Sequence, residues 1–131
     1  MLITYLLCPI IVLRAVLKKK WLDDDGRITS TAFLRDPKHP DGLSVNIASL
    51  TDTNQWLSNF TRSFGADSLH SGRVRELGLE IGQTEADLAE SPPAHALIIG
   101  LPFTDEDPKR AEDLATELVR RARAVDRLKR P

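Results

Sequence analysis

Imidazoles at His70 and His95, the hydroxyl of Ser71 and the guanidinium of Arg73 are the side chains of this sequence best suited to chemistry. Histidine is the side chain that titrates closest to neutrality, so two of them at strand ends would supply an acid and a base. With Arg73 stabilising an anion between them, the trio suits ribonuclease-like phosphoester chemistry. Each histidine also has a structural reading, as a ring held by neighbouring backbone. A metal site built from His39, His70, His95 and a carboxylate would need convergence that no short ligand-spacing motif announces, and no metal is assigned. Neither a Walker glycine loop nor a Gly-x-Gly-x-x-Gly fingerprint occurs, and no cofactor is expected.

The elements that must position these groups are legible in the second half of the chain. Ala66 to His70 reads as a strand, with Ser71 as the N-cap of a short helix from Gly72 to Leu77 that Gly78 ends. Free N–H groups at the start of that helix favour an anion, which makes Ser71, Gly72 and Arg73 a candidate phosphate site. Leu79 to Gln83 reads as a further strand. Thr84 to Asp87 then forms a capping box with Asp in place of the usual Glu, opening a turn of helix that Pro92 and Pro93 stop. The unalternating run Ala96-Leu97-Ile98-Ile99 within Ala94 to Leu101 is the central strand, covered on both faces, with His95 at its mouth.

Asp107 caps the last helix and Pro108 takes its first position. Ala111, Leu114, Ala115, Leu118, Ala122 and Val125 recur at helical spacing and face the sheet. Acidic residues precede basic ones along this helix, which complements its dipole; the functional alternative is a basic end touching nucleic acid or a partner.

The first half is less explicit. Leu2 to Leu13 is an apolar run of 12 residues interrupted by Pro9, too short for a membrane span of ~20 residues and lacking the charge order of a secretion signal, so no stable membrane insertion is expected. Residues 1–9 read as a tail or a misplaced start, and residues 10–128 as the folded core of a single domain. Asp25-Gly26 marks a tight turn, and Asp36 to Gly42 a loop. Leu43-Ser44-Val45 is extended. Ser49 or Thr51 caps a helix running to Phe60, whose stripe is Trp56, Leu57 and Phe60, and both tryptophans read as core. Arg14 on an early strand, the turn at Arg27, the hydroxyls Thr29 to Thr31 and Phe33 loosely resemble compact ADP-ribosyltransferase-type toxins, without an evident glutamate for the transfer step.

A net charge of -1 removes the simplest argument for a nucleic-acid protein, and 41% apolar with 28% charged residues describe an ordinary globular chain. The single cysteine, Cys8, excludes an internal disulfide and fits the cytoplasm.

The segments Asp41 to Asn46, Leu69 to Gly82 and Ala94 to Pro102, followed by the helix around Lys109 to Arg123, resemble a family of small uncharacterised bacterial proteins common in cyanobacteria. The resemblance covers most of Trp21 to Arg123 and singles out Arg27, Ser44, His70, Arg73 and His95. It implies no particular activity. The chain departs from the pattern at Ala94, which often is Asn, and at Ser71, which replaces an apolar residue. Together these readings predict an α+β domain in which a mixed sheet is packed by the C-terminal helix, with the Thr51 to Phe60 helix beside it. The expected role is a binding or interaction module for a phosphate-bearing ligand, a protein partner or a second copy. The enzymatic alternative is a small nucleotide- or RNA-directed enzyme contacting its substrate through Arg73 and the basic helix end.

Overall fold

Strands with apolar faces build this chain into one sheet, and helices cover it on both sides. The computed structural model describes residues 2–35 and 41–126; His39, most of the expected loop around it, and Arg127, Lys129 and Arg130 lie outside the described residues. Seven strands, β1 (Ile3–Tyr5), β2 (Ile11–Ala15), β3 (Leu43–Ile47), β4 (Ala66–His70), β5 (Glu80–Thr84), β6 (His95–Ile99) and β7 (Arg123–Asp126), lie in the order β1-β5-β6-β3-β2-β4-β7. Four α-helices, α1 (Thr53–Ser58), α2 (Ser71–Arg75), α3 (Glu85–Ala89) and α4 (Pro108–Arg121), and three short 3-10 turns complete the α+β fold among the described residues. Among them no helix is long and apolar enough to cross a membrane.

The run at β6 lies inside the sheet but not at its middle, the place the sequence predicts for it: β6 is third of the seven strands and β3 is the central one. Every pairing between strands is antiparallel, however, where the sequence predicts a mixed sheet. An unalternating apolar run only demands cover on both faces, and an interior antiparallel strand meets that demand equally well. Ala96 and Ile98 join the main core, while Leu97 on the other face is 6% exposed.

Ala111, Leu114, Ala115 and Leu118 of α4 are buried at the predicted spacing, and the last three pack in the main core with Val12, Phe33, Val45 and Ile98. Asp107 caps this helix by accepting from the Arg110 amide. The helix stops at Arg121, and Val125, expected on its stripe, belongs instead to β7 and is exposed. α1 is capped by Asp52 rather than Ser49 or Thr51. Its Leu57 packs with Ala15 and Ala66, apart from the main core. Ala15 alternates with Val16 of the main core, so α1 covers the opposite face of the sheet from α4 rather than lying beside it.

Residues 3–9, read from the sequence as tail, are built into the fold. β1 forms an edge against β5, and the chain then runs to β2 past α2, where Arg75 donates to the Leu6 carbonyl and the Ser71 hydroxyl to the Cys8 carbonyl. The apolar run from Leu2 to Leu13 is thus two strands separated at Pro9, a residue with no N–H to offer a ladder. The tight turn at Asp25-Gly26 is present: the Asp23 carboxylate accepts from the amides of Asp25 and Arg27, and Gly26 takes a left-handed φ of 78° that a side chain would strain.

Candidate functional site

The site begins with a fault in the sheet. β2 and β3 pair only at Val12 with Ile47 and at Leu13 with Asn46. Beyond that point Arg14 spans the interval between them: its Nε donates to the Ala32 carbonyl at 3.0 Å and an Nη to the Ser44 carbonyl at 2.9 Å. Trp21 stacks against the guanidinium, 5.1 Å from it to the ring centroid. Arg14 is 6% exposed, and burial pulls its pKa below the ordinary guanidinium range to about 10, which leaves it charged at neutral pH. Among the described residues no carboxylate forms an ion pair with it, although Asp67 stands opposite in the β2–β4 register.

Beside this guanidinium is a cavity of about 240 Å³. Arg14, Ser44, Asn46 and His95 supply its polar lining, and Leu17, Trp21, Trp56 and Phe60 much of its apolar lining. Trp56 and Phe60 meet edge to face, with centroids 5.9 Å apart. Both tryptophans do pack against core clusters, as the sequence predicts, but each also gives part of its ring to this cavity.

His95 stands opposite Asn46 in the β3–β6 register, and Ser44 is the next residue of β3 on the same face. The imidazole lies between two side chains. Its Nδ1 is 2.6 Å from Asp87 Oδ1, and its Nε2 is 3.1 Å from Ser44 Oγ. A carboxylate only accepts, so Nδ1 carries a proton, and in the neutral ring Nε2 accepts from the Ser44 hydroxyl. Asp87 is buried, and its second oxygen accepts from the Thr84 amide at 2.9 Å, closing the predicted capping box at the start of α3. Gln83 is also buried; its Nε2 donates to the carbonyls of Pro93 and His95, holding the chain where it enters β6. An acid, an imidazole and a hydroxyl in line are the parts of an activated nucleophile.

Of the residues selected from sequence, Ser44 and His95 meet here. His70 does not. β2 and β3 lie between β4 and β6, so the two histidines are three strand spacings apart, about 14 Å at ~4.8 Å each. His70 is itself the N-cap of α2, in place of Ser71, with Nδ1 accepting from the Gly72 amide. The Ser71 amide donates to the Ile10 carbonyl and its buried hydroxyl accepts from the Ile10 amide, so the group expected to hold an anion holds the incoming chain. Arg73 is exposed and pairs with Glu76. Arg27 is exposed in its turn, away from the cavity lining. In the sequence Arg14 stands out only by the loose toxin resemblance, and Asp87 only as part of a capping box. Nothing in an eight-residue separation across two prolines announces the Asp87 contact to His95. No three of His, Cys, Asp or Glu gather as metal ligands among the described residues.

Compared with protein-family models, with curated proteins and with solved structures, the chain finds no match.

Proposed function

We propose that this protein is a small binding module whose ligand carries an anionic group, phosphate or carboxylate, received at Arg14. The observation that carries this reading is a buried guanidinium lining a cavity with no ion-pair partner among the described residues. A desolvated charge without a counter-charge is costly, and an anion seated beside it would offset that cost. Two of its five N–H donors are engaged by Ala32 and Ser44. The aromatic walls ask for an apolar or ring-bearing body behind the anionic group.

A cavity of about 240 Å³ falls below the ~300–1,000 Å³ common for ligand sites. That size favours a single ring or a short chain over an intact nucleotide or a polymer, which narrows the nucleotide or RNA expectation. Membership of the small bacterial family is proposed alongside, since Ser44 and His95 both fall in the segments that carry the resemblance. A cytoplasmic setting is proposed on the one cysteine, which is unpaired.

The test is a titration of the parent protein with phenyl phosphate and with phenol, followed by the fluorescence of Trp21 and Trp56. Phenyl phosphate is expected to saturate at least ~10-fold tighter, the gain of about 1.4 kcal/mol that one charge-assisted contact provides. Equal affinity for the neutral ring would refute the anion anchor.

A further inference from the structure

We propose that Ser44 is a nucleophile activated by His95, that Asp87 is the positioning residue for the imidazole, and that the cleft hydrolyses a small carboxylic ester bearing an acidic group. The inference rests on the binding reading for its substrate class and on the geometry of the three side chains for its chemistry.

The geometry is that of nucleophile, base and orienter in sequence. Ser44 Oγ is 3.1 Å from Nε2, within the reach needed for proton transfer, and Asp87 fixes the other nitrogen at 2.6 Å. Asp87 is itself fixed from behind by the Thr84 amide. His95 and Ser44 line the cleft and the imidazole side chain is 41% exposed, whereas Asp87 is outside the lining and its side chain is 10% exposed. Both reacting residues sit on paired strands, which hold geometry better than loops do.

In the first step Ser44 Oγ bonds to the ester carbonyl carbon as its proton passes to His95 Nε2. The tetrahedral adduct then expels the alcohol oxygen, which takes that proton, leaving an acyl group on Ser44. Water attacks this acyl carbon and gives its proton to Nε2; the Ser44–acyl bond breaks and the proton returns to Oγ. The products are one carboxylic acid and one alcohol, and no oxidant or reductant is consumed. Arg14, bound to the Ser44 carbonyl, sets a positive charge one residue's backbone away from the nucleophile, where the substrate's acidic group can rest.

Two probes test this. Phenylmethylsulfonyl fluoride, followed by intact mass and peptide mapping, is expected to leave a single adduct on Ser44 of the parent. Hydrolysis of the mono-4-nitrophenyl ester of glutaric acid is expected to fall by ~100-fold or more in Ser44→Ala and in His95→Gln, the range seen when acid–base assistance is lost. Mapping the parent keeps the test decisive should either variant fail to fold. No adduct on Ser44, or a Ser44→Ala rate equal to the parent's, overturns the nucleophile; the phenyl phosphate titration would still stand on its own. An adduct on Ser44 together with equal rates for 4-nitrophenyl butyrate and the anionic ester supports the nucleophile while removing the Arg14 anchor.

Discussion

Replacing Arg14 by methionine separates a binding role from a structural one. The drop in its pKa from the ordinary guanidinium range to about 10 corresponds to about 3 kcal/mol by which the fold disfavours the charged guanidinium. Arg14→Met removes that cost. It also strips the Ala32 and Ser44 carbonyls of their donor, at ~1–3 kcal/mol each, and loses the Trp21 contact, worth ~0.5–1 kcal/mol. The terms largely cancel, and the variant should be about 0–4 kcal/mol less stable than the parent while losing phenyl phosphate affinity by ~10-fold or more. Because the folded pKa lies below the unfolded one, the cost of the charge is fully present well below pH 10 and fades as pH rises from there toward the ordinary guanidinium range. Between about pH 8 and about pH 11 the parent should therefore gain about 1 kcal/mol relative to Arg14→Met. Urea midpoints for both proteins at the two pH values measure each quantity. Loss of more than ~5 kcal/mol in the variant with no relative gain by the parent at high pH would refute the reasoning, for Arg14 would then be a well-solvated strut holding two carbonyls.

Leu118 is fully buried at the centre of the α4 stripe, so Leu118→Ala should cost ~2–5 kcal/mol in urea unfolding without altering phenyl phosphate affinity in the fraction that remains folded. His70→Ala removes the cap on the Gly72 amide and should cost ~0.5–2 kcal/mol by the same measurement. It should leave ester hydrolysis unchanged, because two strands separate His70 from His95; a marked loss of hydrolysis would restore the paired-histidine reading.

How much of this was legible in the sequence depends on the range of each interaction. Local rules worked where the partner is local: the Thr84–Asp87 capping box, the Asp107-Pro108 helix start and the Asp25-Gly26 turn all bind within four residues and are all present. The interior position of β6 was legible from its apolar run. The direction of its neighbours was not, because cover on both faces is compatible with either pairing sense. Hydropathy alone made Leu2 to Leu13 one segment, whereas Pro9 divides it between an edge strand and an interior one. Helical spacing carried the C-terminal stripe too far, to Val125, since a period says which face a residue takes and not where the helix stops. The site depends on the longest-range contacts. Arg14 reaches across 30 residues to Ser44, and Ser44 across 51 to His95, and only the strand order brings those positions together.

That strand order also argues for what the histidine is for. Ser44 and His95 are diagonal neighbours on one face of the β3–β6 ladder, a separation of roughly 7–8 Å between backbones that an imidazole can close. A histidine whose side chain is 41% exposed can meet much of its hydrogen-bonding need from water. Here the chain nonetheless commits a buried carboxylate to one nitrogen and a serine to the other, then anchors the carboxylate with a helix cap and the strand entry with Gln83. Burying Asp87 against His95 carries a desolvation cost, repaid only by its hydrogen bonds to the imidazole and the Thr84 amide. The fold thereby fixes the imidazole's tautomer and leaves Nε2 facing the hydroxyl, beside an interval in the sheet that a buried cation keeps open. A group needed only for packing would not require its protons to be specified.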